Sequence, residues 1–280
     1  MKSVVATGDE AVAVPGLRDL VPIAQGGYST VYRAVQVSIG REVAVKVDNG
    51  TLDTELDRRR FHYEAHATGR MSGHPHVIDL FDAGVSHTGH PYLVMELCRG
   101  SFTERVGRIP LDEVCGIGVR IADALAAAHA AGVLHRDVKP GNILCTRFDT
   151  PVLADFGLAV LLDQRDGREA LDPLTPAYAP PESVDLANPS PTGDVYSLAA
   201  TLYALSAGHP PRLPATGVPT TAALMELYQM PVPDLPDASP GLLDALRRAL
   251  DTDPEGRPTA AEFRDLLAEV HSGGPDPAWA

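Results

Sequence analysis

Residues 135–142 of this chain read His-Arg-Asp-Val-Lys-Pro-Gly-Asn, and Asp-Phe-Gly follows at 155–157. Asp137 is a carboxylate suited to taking or orienting a proton, and Lys139 is a cation two residues further on. Two side chains supply the oxygen ligands that magnesium prefers, Asn142 and Asp155. Transfer of a phosphoryl group requires a positioned hydroxyl, neutralised phosphate charge and a held metal ion. The two motifs therefore carry the parts of such a reaction on one short stretch of chain.

The composition limits the classes of protein to consider. The chain has 280 residues, 44% of them hydrophobic, which is enough for a sizeable core close to the size at which cores divide into lobes. Its formal net charge of -14 argues against a nucleic-acid-binding surface. Positions 1–10 contain no apolar signal-peptide core, and no apolar run is long enough for a membrane span. We therefore expect neither a nucleic-acid partner nor a membrane segment.

The three cysteines are Cys98, Cys115 and Cys145. An odd and scattered set forms neither a disulfide framework nor the spacing of zinc ligands. Reduced thiols of this kind are typical of a cytosolic protein. We therefore expect a cytoplasmic location.

Lysine is scarce in this chain. Of the 23 basic side chains, only Lys2, Lys46 and Lys139 are lysines, which leaves 20 arginines. Lysine is a compact point charge, whereas arginine is a planar fork. We therefore expect Lys46 and Lys139 to stand where a point charge is needed, although each could also be an ordinary solvated lysine.

The distribution of apolar residues predicts two regions of different structure. Short strand-like runs lie at 20–23, 31–37, 43–47, 77–81 and 92–97, with one helix predicted at 56–71. Its first turn is uncertain, because Arg58, Arg59 and Arg60 oppose the helix dipole. Helical spacing then begins at Leu111 and recurs at 194–206, 224–230, 242–250 and 260–270, with two short strand-like runs at 143–144 and 152–154. The predicted fold is α+β, with a small β-rich lobe and a larger helical lobe.

In these motifs the chain resembles the protein kinase family, and most closely the eukaryotic-like serine/threonine kinases of bacteria. The resemblance covers residues 17–270 and implies an N-lobe at 17–97 and a C-lobe at 98–270. Residues 1–16 and 271–280 are expected to be flexible tails. The family's activity implies ATP-dependent transfer of the γ-phosphate to Ser/Thr hydroxyls of proteins, autophosphorylation included, with Mg²⁺ or Mn²⁺. The oligomeric state is left open.

The resemblance also implies roles for individual side chains. Lys46 ends the third-strand motif Val-Ala-Val-Lys and would contact the α- and β-phosphates, with Glu64 as its ion-pair partner. Asp137 would be the catalytic base, and Lys139 would stabilise the phosphate charge. The metal ligands would be Asn142 and Asp155. A lysine at position 139 and a threonine at position 175, ahead of Tyr178, resemble the pattern of the Ser/Thr branch of the family rather than that of the tyrosine branch.

The resemblance further implies a nucleotide site. Its adenine pocket would be formed by Ile23, Val31, Ala44, Met95 and Leu144, any of which alone reads as ordinary core. Glu96 and Cys98 would offer backbone groups to the adenine edge. In the phosphate-covering loop Gly26 and Gly27 are present, but Ala24 and Ser29 replace two family glycines. We therefore expect altered loop mobility and weaker ATP affinity.

The resemblance also implies two structural contacts. The chain departs from the family in the segment that follows the Asp-Phe-Gly motif. Glu182 would form a buried ion pair with Arg257, and Asp194 would anchor the backbone of the 135–142 loop. Residues 158–174 contain no Ser, Thr or Tyr, so a phosphorylated partner for Arg136 cannot form there. One hypothesis is that a permanent carboxylate replaces it, with two candidates, Glu169 and Asp172. The alternative is that these are solvated loop charges. Thr175 is expected to bridge Asp137 and Lys139.

The sequence leaves two alternative functions open. The first is a pseudokinase that acts as a nucleotide-binding scaffold. The altered glycine loop favours it, and four intact residues oppose it: Lys46, Asp137, Asn142 and Asp155. The second is a small-molecule phosphotransferase of related fold. The Glu182 and Arg257 positions oppose it, and so does Thr175 near Tyr178.

Overall fold

The structure is a computed structural model that describes residues 13–156, 160–161, 177–183, 188–212 and 221–272. Its first part contains β1 (Leu17–Gln25), β2 (Ser29–Gln36), β3 (Arg41–Asp48), α1 (Glu55–Met71), β4 (Leu80–Val85) and β5 (Pro91–Glu96). The five strands form an antiparallel sheet in the order β1-β2-β3-β5-β4, with α1 as the one helix of this part. The predicted β-rich lobe with a single helix is confirmed.

Side chains of β3 alternate between the two faces of this sheet. Val43, Val45 and Val47 are buried in a small apolar cluster with Tyr92 and Val94 of β5. Successive side chains of a strand point to opposite faces, so the intervening Ala44, Lys46 and Asp48 share the other face. Strand β3 therefore presents one cation, Lys46, and one carboxylate, Asp48, on the same face of the sheet.

The first turn of α1 explains how three arginines are tolerated there. Thr54 caps the helix, since its side chain accepts from the backbone N–H of Asp57, while the Asp57 carboxylate accepts from the backbone N–H of Thr54. Glu55 lies 3.8 Å from Arg58 and 3.5 Å from Arg59. Two carboxylates and a reciprocal cap at the positive end of the helix dipole offset the unfavourable arginines.

The second part is mainly helical. It contains α2 (Leu111–Ala130), α3 (Pro191–Ala207), α4 (Thr221–Gln229), α5 (Pro240–Ala249) and α6 (Ala260–Ser272). Short strands lie beside them: β6 (Gly100–Ser101), β7 (Val133–Leu134), β8 (Ile143–Cys145), β9 (Pro151–Leu153) and β10 (Val160–Leu161). β6, β8 and β9 form one small sheet, and β7 pairs with β10. The predicted α+β class is confirmed, and no helix of the described residues is long and apolar enough to span a membrane.

Helix α3 lies at the centre of the helical lobe, where thirteen of its seventeen residues are buried. It begins at Pro191, three residues earlier than predicted, because Ser190 caps it and proline is favoured at the first helical position. Asp194 therefore sits inside the first turn. Gly208 ends the helix in the left-handed conformation, at φ 86°.

The strand predicted at 77–81 is wrong in position. Strand β4 begins at Leu80 and runs to Val85. Val77 instead forms an isolated parallel bridge with Leu153 of β9, supported by the bond from Ile78 N to Leu153 O. Residues 77–81 therefore pair with two different strands. The pattern of apolar residues in the sequence does not show where one partner ends and the next begins.

Candidate active site

The backbone of the 135–142 loop is held by one buried carboxylate. Asp194 Oδ2 accepts from the backbone N–H of His135 at 2.9 Å, and Oδ1 accepts from that of Arg136 at 2.7 Å. His129 Nε2 lies 2.9 Å from Asp194 Oδ2. Burial raises the pKa of Asp194, but the contact with His129 and the other bonds outweigh it and lower the pKa below its ordinary value. The predicted anchoring by Asp194 is confirmed.

Further bonds fix the loop to its neighbours. Thr201 on α3 donates to Val138 O at 3.2 Å. The buried ring of His135 lies 3.1 Å from Ala154 O through Nε2, and its centroid is 4.8 Å from that of Phe156. These contacts tie the loop both to the central helix and to the Asp155-Phe156 segment. The relative positions of the two sequence motifs therefore depend on buried groups.

Three side chains of the loop converge on one point. Lys139 Nζ lies 2.6 Å from Asp137 Oδ2. Asn142 Nδ2 donates to Asp137 O at 2.8 Å and to Asp137 Oδ2 at 3.0 Å. The side chain of Asp137 is 12% exposed and that of Lys139 is 29% exposed. The carboxylate is thus held from two sides and still reaches solvent.

A second cluster forms around Lys46. Its Nζ lies 2.7 Å from Glu64 Oε1 and 2.7 Å from Asp155 Oδ1. Burial lowers the pKa of Lys46, but the charges and hydrogen bonds of Glu64 and Asp155 outweigh this and raise the pKa above its ordinary value. Lys46 is therefore a cation at any physiological pH, and it joins β3, α1 and the 155–156 segment.

Asp48 belongs to this cluster, and sequence reasoning missed it. The pKa of its carboxyl group is raised to about 6, first by burial and then by the neighbouring Glu64, while Lys46 opposes the shift. The signal was available only indirectly, since residues two apart on a strand share a face. A carboxylate two residues after Lys46 is therefore expected to lie near the partners of that lysine.

The residues predicted to hold adenine are unevenly placed. Met95, Cys98 and Leu144 pack against a buried cluster of Ile78, Val152 and Ala154, and Ala44 is 6% exposed. Val31 is half-buried, whereas Ile23 is 51% exposed. The backbone N–H of Glu96 donates to Asp79 O at 3.0 Å, so it is not available to a ligand. Burial raises the pKa of Cys98 to about 12, with Glu96 adding to the effect.

Asn49 organises the glycine turn between β1 and β2. Its Nδ2 lies 3.4 Å from Gly26 O and 3.2 Å from Gly27 O, and its backbone N–H donates to Tyr28 O. Neither glycine has a positive φ, and an added Cβ would meet only Ser29 O, at 3.5 Å from Gly26. The open space above the two glycines, rather than their backbone conformation, is what the turn preserves. Asn49 was not singled out from the sequence.

The protein kinase domain family matches residues 17–266 of this chain. The chain belongs to this family. The resemblance drawn from the 135–142 and 155–157 motifs is thereby confirmed.

Relatives of the kinase domain are named bacterial serine/threonine-protein kinases. PknK of Mycobacterium tuberculosis is 40% identical over 265 residues, which are 91% of this chain and 24% of that protein. The DNA damage-responsive kinase RqkA of Deinococcus radiodurans is 35% identical, over 82% of this chain and 35% of its own. PknA of Mycobacterium tuberculosis is 34% identical, over 90% of this chain and 60% of its own. The chain thus spans about a quarter of the length of PknK.

In the helical lobe, Glu182 and Arg257 form a bidentate ion pair. Arg257 Nη1 lies 2.7 Å from Glu182 Oε1, and Nη2 lies 2.8 Å from Oε2. The Arg257 side chain is fully buried, and its Nε donates to Asp251 O at 2.7 Å. The predicted pair is confirmed. It fixes the 181–183 turn against the end of the helical lobe.

Four residues named in the sequence predictions lie outside the described residues: Gly157, Glu169, Asp172 and Thr175. The hypothesis of a carboxylate partner for Arg136 and the expected bridge by Thr175 therefore stay predictions. Arg136 itself is described, and its backbone has φ 70°. Asp155 likewise has φ 66°. Each of the two motifs therefore contains one non-glycine residue in the left-handed conformation.

Proposed function

We propose that this kinase domain transfers the γ-phosphate of ATP, bound as its magnesium complex, to serine and threonine hydroxyls of proteins, itself included. The observation that carries the proposal is the position of Lys46, which lies 2.7 Å from Glu64 on α1 and 2.7 Å from Asp155. A cation held between two carboxylates, of which Asp155 is 44% exposed, is prepared to exchange one of them for phosphate oxygens. The serine/threonine names of the relatives support the choice of acceptor.

In this proposal the nucleotide lies between the lobes. Its adenine contacts the backbone at Glu96 and Cys98 and the apolar residues that the family resemblance implies: Ile23, Val31, Ala44, Met95 and Leu144. Gly26 and Gly27 cover the phosphates, because no Cβ fills the space beside them. Lys46 contacts the α- and β-phosphates, and Glu64 holds its ammonium group in place.

The proposed metal ligands fit magnesium. The amide nitrogen of Asn142 is committed to Asp137, which directs the amide oxygen to a cation. The Asp155 side chain is 44% exposed and offers carboxylate oxygens. Two protein oxygens completed by waters and phosphate suit Mg²⁺, and Mn²⁺ accepts a similar set. When bound, the ion would neutralise charge on the transferred phosphate.

The proposed chemistry at the acceptor is carried by the 135–142 loop. The hydroxyl oxygen of the substrate attacks the γ-phosphorus, the bond to the β-phosphate oxygen breaks, and ADP leaves. Asp137 orients the hydroxyl and takes its proton. Lys139, 2.6 Å from Asp137 Oδ2, stabilises negative charge on the phosphoryl group as it moves. The 12% exposure of the Asp137 side chain leaves it open to a substrate.

The extent of the domain and its setting belong to the same proposal. We assign the N-lobe to 17–97 and the C-lobe to 98–270, with tails at 1–16 and 271–280. The proposed location is the cytoplasm, and the three free thiols support it, because a reducing compartment keeps thiols free. The proposed partners are ATP and proteins that present Ser or Thr, with no nucleic acid and no membrane segment in this chain.

The test is phosphate incorporation by the wild-type chain and by Asp137→Asn. Each is incubated with Mg-ATP and a mixed protein acceptor, and intact mass and phosphosites are read by mass spectrometry. Asp149→Asn, an exposed carboxylate on the β8–β9 turn, is the matched control. We expect Asp137→Asn to lower the rate by about 10²–10⁴-fold and the control to act as wild type. Equal incorporation in all three would remove Asp137 from its role.

A scaffold without turnover is the second candidate, because Ala24 and Ser29 replace two family glycines in the phosphate loop. A thermal shift on adding Mg-ATP, with no phosphate transferred to any acceptor, would favour it. Transfer to a small alcohol but to no protein would instead favour a small-molecule phosphotransferase.

A further inference from the structure

The outer face of α1 carries a stripe of basic side chains. Arg59, His62, His66 and Arg70 recur at spacings of three or four residues, so they lie along one side of the helix. All four are exposed, and Arg58 lies at the edge of the stripe. The side of α1 that carries the buried Phe61, Ala67, Thr68 and Met71 faces the protein. We define the basic stripe as Arg58, Arg59, His62, His66 and Arg70.

This stripe contrasts with the rest of the molecule. The chain has a formal net charge of -14, yet the only carboxylate exposed on this face of α1 is Glu55, at its N-terminal end. Glu55 lies 3.8 Å from Arg58 and 3.5 Å from Arg59, with all three side chains more than half exposed. Exposed pairs of this kind contribute little, so another carboxylate can replace Glu55 at small cost.

The charge of the stripe decides between cations and anions as ligands. The rings of His62 and His66 have centroids 6.2 Å apart, a placement that two metal ligands one helical turn apart also adopt. Arginines flank the pair, however, and they repel a cation. No group of three His, Cys, Asp or Glu side chains among the described residues is placed to hold a metal ion. Arginine forks match carboxylate geometry, and imidazole N–H groups donate to it as well.

The size of the stripe decides between anions. From residue 59 to residue 70 the helix rises about 17 Å, which an extended chain covers with about five residues. A duplex or a membrane surface would extend beyond the stripe onto a protein whose formal net charge is -14, which repels other polyanions. A short acidic segment would not. We infer that the outer face of α1 is a docking surface for a carboxylate-rich protein segment of about five to six residues.

The surface is placed where a partner would contact the same helix as the proposed active site. Glu64, which pairs with Lys46, projects from the opposite side of α1. Binding on the outer face would therefore involve the helix that positions Lys46, without touching the cleft. This inference concerns binding alone and stands or falls separately from phosphate transfer.

The test measures binding of fluorescein-labelled hexaglutamate by anisotropy at low ionic strength. The stripe variant is Arg59→Gln with His62→Gln and His66→Gln. Its matched control removes the same residue types from exposed positions elsewhere: Arg108→Gln with His87→Gln and His209→Gln. We expect binding that weakens with added salt, and about a tenfold loss in the stripe variant only. Circular dichroism establishes that both variants fold.

Three further arms decide where the acidic segment binds and what the surface prefers. Lys46→Met tests binding in the cleft, since a polyanion could occupy the phosphate site; unchanged binding supports the inference. A short DNA duplex and vesicles containing phosphatidylserine are compared with hexaglutamate. Tighter binding of either, equal losses in the stripe and control variants, loss of binding in Lys46→Met, or no binding of hexaglutamate would each overturn the inference.

Discussion

Lys46 on β3 and Glu64 on α1 form an ion pair of 2.7 Å between side chains that are only 15% and 11% exposed. The pair joins strand β3 of the sheet to the one helix of the N-lobe, α1. Because both side chains are largely shielded from water, the loss of one partner leaves the other charge buried and uncompensated. The position of the Lys46 ammonium therefore depends on the Glu64 carboxylate.

Glu64→Gln should reduce phosphate transfer while the chain stays folded. Glutamine keeps the size of the side chain but removes the charge, so Lys46 should turn toward Asp155, its other partner at 2.7 Å. A displacement of about 1 Å at a reacting centre can lower a rate by about 10²-fold. The measurement is kcat/KM for ATP under saturating acceptor.

Glu42→Gln is the control for this experiment. Glu42 is an exposed carboxylate on the same sheet, 3.5 Å from Arg33. It should leave kcat/KM as in the wild type, with melting curves of the two variants compared. If Glu64→Gln were as active as Glu42→Gln, the ion pair would be a structural contact without a role in transfer.

What could be predicted from sequence depended on how far apart the contacting residues lie. Asp137, Lys139 and Asn142 are within six positions, and their motif alone indicated that they act together. The pairing of Lys46 with Glu64, 18 positions apart, came from the family resemblance rather than from spacing.

Other contacts could not be predicted because they depend on strand register and packing. The bonds from Asn49 to the glycine turn need the register of β2 against β3, in which Ser29 faces Asp48. His129 meets Asp194 across 65 positions. Neither relationship leaves a local pattern in the chain.

Removing Arg257 should destabilise the helical lobe strongly. Its fully buried guanidinium makes two bonds to Glu182. Arg257→Met leaves the Glu182 carboxylate, 18% exposed, without its counter-charge, and we expect a loss of about 3–5 kcal/mol in the free energy of unfolding. Urea denaturation measures it.

The double variant Glu182→Gln with Arg257→Met distinguishes the pair from simple packing. If the cost arises from an uncompensated charge, the double variant should be more stable than Arg257→Met alone. Additive losses would show instead that Arg257 acts mainly through its bonds to backbone carbonyls such as Asp251 O.

Thr54→Ala should loosen the start of α1. The Thr54 hydroxyl accepts from the backbone N–H of Asp57 at 3.1 Å, and loss of such a cap costs about 1 kcal/mol. Hydrogen exchange at the amides of the first turn should speed up. Thr54→Ser keeps the hydroxyl and should exchange as the wild type; if both variants exchange alike, the cap contributes nothing measurable.

Asp48→Asn should stabilise the protein near neutral pH, and the gain should vanish in acid. Burial, with Glu64 next, raises the pKa of Asp48 from 3.8 to about 6. Between these values the native state binds more protons than the unfolded state, so the contribution of Asp48 to stability falls as pH rises. Asp48→Asn has no carboxylate at this position, so its stability does not fall in this way as the pH rises. Since Asp48 is only partly buried, solvent screening reduces the expected gain above pH 6 to about 1 kcal/mol.

Urea denaturation of the wild type and Asp48→Asn across this pH range measures the difference. Asp82→Asn, an exposed carboxylate on the same sheet, corrects for the general effect of removing one negative charge from an acidic chain. The difference for Asp48→Asn should grow from about pH 4 to about pH 6 and then level off, because Asp48 is fully ionised above its raised pKa. A difference that stays constant with pH would mean that the Asp48 carboxylate is solvated and does not share the charge of the Lys46 cluster.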